Sequence, residues 1–371
     1  MKIRVKSFEA WRFFMISTVF LAHCGFVMTN DRATEFFYHY MNNGVYGVTF
    51  FFLLSGFCLN LGYSEKLAAL NKDTYKSFIW KRIKKVYPTY IVMQTLCLVA
   101  AIIKNPAADA VKELLWRYVI SIPMLQMLIP NSKLYVSLNG VGWFMSALFL
   151  IYLITPVIIM LASSVREQKG KNAMILLALI LLYIGMGLYS ARYLEAGDAR
   201  EFVMRSLPVD IVVFCIGVFL ANLRMVFHRE EPNRSGIRIT SMTVLEIAAI
   251  VLAVWSYFET LRNPMWNTYL EKILVFMLLI FVYSYDGGIL SKVFAWKPFL
   301  ILGTVSFEFY LIHYFVVRYI AVWLQEKIGN TNRDNLLILI LCFVVTWGVC
   351  VLIEMIKKRL QSRKRKAVSA A

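Results

Sequence analysis

Residues 11–29 read WRFFMISTVFLAHCGFVMT, an apolar run that carries one arginine and one histidine. Eleven helical steps of about 100° return to within roughly 20° of the start, so Arg12 and His23 share one face. At a rise of about 1.5 Å per residue they lie roughly 16 Å apart along the axis. If the span runs from about residue 13 to residue 29, Arg12 sits at a membrane edge and His23 near the bilayer centre. Arg12 has an ordinary reading as a flanking charge that sets topology. His23 has one as a helix-packing residue, although an ionisable group in hydrocarbon marks a functional site by default.

The other apolar runs decide what kind of protein this is. The chain has 371 residues, 60% of them hydrophobic and 17% charged, against about a quarter charged in soluble domains. Apolar segments recur at about 13–29, 44–62, 86–103, 141–162, 173–190, 208–227, 243–258, 270–285, 299–324 and 336–356. They predict an all-α polytopic membrane protein with about ten transmembrane helices. The net charge of +18 would suggest nucleic acid in a soluble protein, but its placement argues otherwise. The segments that this count puts inside carry 26 Lys and Arg, and those outside carry 11. Both termini are therefore expected in the cytoplasm, in a multi-pass protein of the inner or plasma membrane, with membrane lipid rather than nucleic acid as the partner of the charge. Residues 1–356 read as one transmembrane domain and 357–371 as a basic cytoplasmic tail resting on anionic lipid.

Six cysteines fall inside apolar segments without C-x-x-C spacing. They read as small core residues, and neither a disulfide framework nor a metal site is expected. The run LLWRYVISIPMLQMLIP, residues 114–130, is broken by Arg117 and Pro123 and reads as a re-entrant or interfacial segment rather than an eleventh span.

Four further stretches depart from plain lipid-spanning sequence. In the second span Ser55, Gly56 and Phe57 form a small-residue patch, where another backbone or a thin ligand approaches closely. FIWKRIKKVYP, residues 78–88, places Lys81, Arg82, Lys84 and Lys85 before the third span; they suit lipid phosphates or, together with Arg12 at the same mouth, the phosphates of a nucleotide. Asn139 and Trp143 open the fourth span, an amide and an aromatic face of the kind that holds sugars, with interfacial anchoring the plain reading of Trp143. In the ninth, Ser306, Glu308, Tyr310 and His313 lie close together, Tyr310 and His313 three apart on one face. Glu308 is a candidate acid of the site or a protonated structural one.

An arginine, ten residues and a histidine in the first helix, then GVTFFFLLSGF, KRIKKVYP, GWFMSALFLIYLITP and VSFEFYLIHY in this order resemble the acyltransferase type 3 membrane acyltransferases over essentially the whole chain. The resemblance implies a ten-helix enzyme that moves an acyl group, most often acetyl, from cytoplasmic acyl-coenzyme A to an extracytoplasmic glycan or lipid-linked oligosaccharide. Arg12 and His23 fall on the family's arginine and histidine, Arg82 on its basic motif with Lys85 replacing the second arginine, and Ser55, Gly56 and Phe57 on its S-G-F turn. Many O-antigen-modifying members carry W-S-L-x-x-E in the fourth helix, whereas this chain has Leu148 and Phe149 where the acid would stand. Its W-F-x-x-A-L pattern is similar instead to the branch that acetylates enterobacterial common antigen and related surface polysaccharides.

The expected mechanism keeps the phosphates of acetyl-coenzyme A at Arg12, Arg82 and Lys85, with Ser55, Gly56 and Phe57 beside the donor, and threads the thioester to His23. His23 is cast as the general base, with its transient acylation as the variant. Tyr310 or Ser55 serves the oxyanion, with Glu308 a further catalytic candidate, while Asn139, Trp143 and His313 are candidates for holding the acceptor. The alternative is a transporter or flippase of acyl groups or lipid-linked sugars, against which stands the lack of a visible internal repeat.

Overall fold

Backbone groups in hydrocarbon have no water to bond, and the apolar runs accordingly become helices. The computed structural model describes residues 5–129, 134, 136, 138–193, 206–229, 236–262 and 270–370. Parts of the expected loops, at 194–205, 230–235 and 263–269, lie outside them. The helices are α1 (Ser7–His23), α2 (Asp31–Tyr40), α3 (Gly44–Leu67), α4 (Lys72–Lys104), α5 (Ala108–Ser121), α6 (Gly142–Val165), α7 (Lys169–Tyr193), α8 (Leu207–Arg229), α9 (Gly236–Arg262), α10 (Leu270–Tyr283), α11 (Ile289–Phe294), α12 (Lys297–Thr304), α13 (Ser306–Phe315), α14 (Val322–Ile328) and α15 (Asn332–Ala370). No strand occurs among the described residues. Among the described residues, eight helical stretches are long and apolar enough to cross a membrane. The first and eighth expected spans are α1 and α10, of 17 and 14 residues. The protein is an all-α polytopic membrane protein.

Four of the differences from the expected boundaries matter here. α1 ends at His23 rather than at residue 29. Its start is pinned by Asp286, whose carboxylate accepts from the Lys6 and Ser7 amides, and Gly25 follows its end, where glycine disfavours continuation. His23 is thus the last residue of a helix and not its middle. α4 begins at Lys72, before the basic cluster, and runs through Pro88. An Asn71–Thr74 capping box nucleates it, so Arg82 and Lys85 stand on a helix, one turn apart. The ninth span is broken at Val305 and passes through a π-helical turn at Val316–Ala321. α15 continues past residue 356 to Ala370: the basic residues are good helix formers, and no break separates tail from domain.

After α5, which at 14 residues is too short to span, the chain turns back into the protein. Ser121, Gln126 and Met127 are buried. Side chains replace the missing water: Tyr90 donates to Ser121 O at 2.8 Å, Gln126 to Gly142 O at 3.1 Å and Ser146 to Met124 O at 2.8 Å. This is irregular backbone held inside protein, the one circumstance in which the bilayer tolerates it.

Backbones cross closely wherever glycine permits. A Cβ on Gly56 would collide with the Phe214 carbonyl of α8, and one on Gly217 with the Leu53 carbonyl of α3. The same α3–α8–α7 contact is tied by three buried asparagines: Asn60 donates to Asn222 at 2.9 Å and Asn222 to Asn172 at 3.0 Å. Gly47 lets α3 approach Met15 O of α1, and Gly303 lets α12 approach Glu9 O. Replacing Gly56 with valine is expected to lower the melting temperature of the detergent-solubilised protein by several degrees, from overpacking of about 1–3 kcal/mol or more. Gly62→Ala, with no atom within 4 Å of the added Cβ, should leave it unchanged or slightly raised.

Candidate active site

α1, clamped by these glycine contacts, carries polar side chains into two cavities that follow one another along its length. The first, of about 290 Å³, is lined by Glu9, Arg12, Ser55, Cys58, Arg82, Lys85, Tyr152, Ser306 and Tyr310 among others. The second, of about 320 Å³, is lined by His23, Asn42, Gly44, Val48, Trp143, Tyr310 and Tyr314 among others. Tyr310 is a wall of both.

The first cavity is electropositive by construction. Arg12 Nη1 lies 2.9 Å from Glu9 Oε2, one turn before it on α1, and Nη2 lies 3.7 Å from Cys58 Sγ, so the guanidinium is held between two helices. Arg82 is caged by aromatic faces: its Cζ is 5.1 Å from the Tyr63 ring, 5.2 Å from Phe78 and 5.7 Å from Tyr152. It donates to Tyr63 Oη at 2.7 Å. Arg82 Nε has no hydrogen-bond partner among the described residues. Lys85 follows one turn later on α4 and lines the same space. Three cations against one carboxylate leave a net positive cavity, and the N-terminus of α13 at Ser306 adds its dipole. Such a site suits a phosphorylated ligand, to which Arg offers a planar fork and Lys a point charge.

In the second cavity the tautomer of His23 can be read from its partner. Nδ1 lies 2.8 Å from Val19 O. A carbonyl only accepts, so Nδ1 carries the hydrogen and Nε2 of the neutral ring has the lone pair that a base needs. Edge-to-face contacts set the ring against Tyr314 and His313, with centroids 5.6 and 5.2 Å away. Between the cavities the Tyr310 hydroxyl donates to Val141 O at 3.1 Å, and its ring packs on Phe144 at 4.8 Å. To serve an oxyanion, that hydroxyl has to leave Val141.

The structure thus gathers Arg12, Arg82, Lys85 and Ser55 in one cavity, His23 and Trp143 in the other, and Tyr310 at the junction. The remaining candidates lie elsewhere. Gly56 meets the α8 backbone and Phe57 is buried edge-on to Phe8 at 5.8 Å, so only the serine of the patch faces a cavity. Asn139 is fully buried and spends its amide on Leu311 O at 3.0 Å, tying the turn before α6 to α13. Glu308 is paired with Lys357 Nζ at 2.8 Å and lines neither cavity. His313 is fully buried behind His23. Sequence reasoning missed Glu9, Cys58, Asn42 and Tyr314. Glu9 had a signal in its i,i+3 spacing to Arg12, and Cys58 in its i,i+3 spacing to Ser55; nothing local marked Asn42.

Comparison with known proteins identifies the family. A family model described as an acyltransferase domain, that of the acyltransferase type 3 family, matches residues 5–355. Acyltransferase MdmB of Streptomyces mycarofaciens is 25% identical over 337 residues, covering 85% of this chain and 80% of that protein. No solved structure matches. With the family's domain spanning nearly the whole described chain, the protein belongs to the acyltransferase type 3 family of membrane acyltransferases.

Proposed function

We propose that this protein is an O-acyltransferase that takes an acyl group, acetyl in the simplest case, from acyl-coenzyme A on the cytoplasmic side and places it on a hydroxyl of an extracytoplasmic or lipid-linked cell-surface glycan. The observation that carries this reading is the pair of cavities with one shared wall: cations on one side of Tyr310, an imidazole whose Nδ1 is held by Val19 O on the other. Transfer from a thioester to a sugar hydroxyl is chemically mild, and the obstacle is the membrane between them. A pantetheine arm is about as long as the roughly 16 Å between Arg12 and His23. Phosphates held by Arg12, Arg82 and Lys85 therefore leave the thioester free to pass Tyr310 and reach His23. Trp143, Asn42 and Tyr314 offer the acceptor sugar stacking faces and an amide. The expected orientation, with both termini in the cytoplasm, belongs to this proposal and rests on the distribution of Lys and Arg.

His23 then removes the hydroxyl proton as oxygen attacks the thioester carbonyl, and returns it to the departing thiolate. Tyr310, at the junction of the two cavities, meets the oxyanion once its hydroxyl leaves Val141, whereas Ser55 lies beside the donor in the cavity of Arg12. The deciding experiment supplies labelled acetyl-coenzyme A to inside-out vesicles from cells with and without the protein and identifies the surface polymer that gains label. No label above the control would refute the donor.

Replacing His23 with alanine should lower transfer by a factor of about 100 or more, with the protein still inserted at wild-type level. Turnover within a few-fold of wild type would remove the base from His23. Arg12→Lys should raise the half-saturating acetyl-coenzyme A concentration about tenfold, as a forked phosphate contact becomes a point charge. Cys58 gives a readout independent of turnover. With the other five cysteines changed to serine, coenzyme A should slow maleimide labelling of Cys58 in wild type and do so about tenfold less effectively in Arg12→Lys.

A further inference from the structure

Two imidazoles stand side by side where one is enough for a general base. His313 is fully buried, and among the described residues its Nε2 has no hydrogen-bond partner. Its Nδ1 lies 3.1 Å from Phe309 O, so, as in His23, the hydrogen is on Nδ1 and the lone pair on Nε2. The two ring centroids are 5.2 Å apart at an interplanar angle of 69°. At this spacing, ring nitrogens that face each other along the line of centres are about 3 Å apart, a hydrogen-bonding separation. Phe309 stacks on His313 at 5.8 Å, and Phe20 and Tyr310 pack at 6.3 and 5.8 Å. A phenyl ring would fill that space without leaving a buried acceptor bare, which is costly.

A buried acceptor without a donor asks for an explanation. In the resting state the two Nε2 atoms are both lone pairs and make no hydrogen bond to each other. Once His23 has gained a proton, its Nε2–H is a donor, and the Nε2 of His313 beside it is an acceptor. A bond made only as charge develops speeds the step, whereas one made equally in the ground state does not.

We propose that His313 is the proton-sharing partner of His23, a positioning residue whose Nε2 accepts a hydrogen bond from His23 only after His23 has taken the acceptor's proton. The proposal rests on the acyl transfer set out above. The hydroxyl oxygen bonds to the thioester carbon, its proton moves to His23 and is shared with His313, the carbon–sulfur bond breaks, and the proton goes to the thiolate. An ester and a free thiol are the products, and both imidazoles end neutral.

The test uses the full-length protein in vesicles with labelled acetyl-coenzyme A and the vesicles' own surface polymers, comparing wild type, His313→Phe and His313→Gln. His313→Phe keeps the ring volume and should reduce turnover at saturating donor by about 10- to 100-fold, with half-saturation within about twofold of wild type. His313→Gln sets an amide oxygen near the former Nε2 and should run at least about fivefold faster than His313→Phe. Protection of Cys58 by coenzyme A should be the same in all three. The imidazole pair is overturned if His313→Phe turns over within about threefold of wild type, if glutamine rescues nothing, or if either variant loses Cys58 protection, which would mark a packing role. A wild type that transfers no label would overturn the function itself, and the pair with it.

Discussion

Hydrocarbon solvates neither a guanidinium nor an imidazole, and that constraint shapes the whole molecule. Each such group has to be enclosed by protein, and enclosure requires helices that approach closely along the helix carrying them. α1 meets this demand through glycines on its neighbours, Gly47 of α3 and Gly303 of α12. These contacts fix the heights of Arg12 and His23 relative to α3, α4 and α13. α3 is held in turn by the reciprocal Gly56 and Gly217 crossing and the Asn60–Asn222–Asn172 chain.

The same logic explains what was legible from sequence. The Arg12–His23 spacing was readable because helical geometry is local and a charge within an apolar run stands out. The all-α polytopic fold was readable for a similar reason, since runs of about twenty apolar residues admit no other structure. The bounds of α1 were less readable: its start at Ser7 depends on Asp286, some 280 positions away, which no window of sequence contains. Glu308 looked like a spare acid because its partner Lys357 is 49 residues on, and Asn139 looked available because Leu311 is 172 residues on. In each case the side chain was correctly seen as unusual, and a distant partner decided its use.

The broken ninth span shows how backbone irregularity serves the site. A straight helix through 299–324 would carry one face past the cavities. The break at Val305 instead starts α13 beside the cations, with Ser306 and Tyr310 facing them, and the π-helical turn follows soon after His313 and Tyr314. The extra residue in a π turn shifts the face that the rest of the segment presents, and such turns occur frequently at functional sites.

Tyr310 also bears on the energetics of the cell as a whole. A bore wide enough for a pantetheine arm, if open from end to end, would pass water and protons down whatever gradient the membrane holds and act as an electrical shunt. The phenol ring of Tyr310, anchored on Val141 and backed by Phe144, stands between the two cavities. A ring in that place would spare the membrane such a shunt.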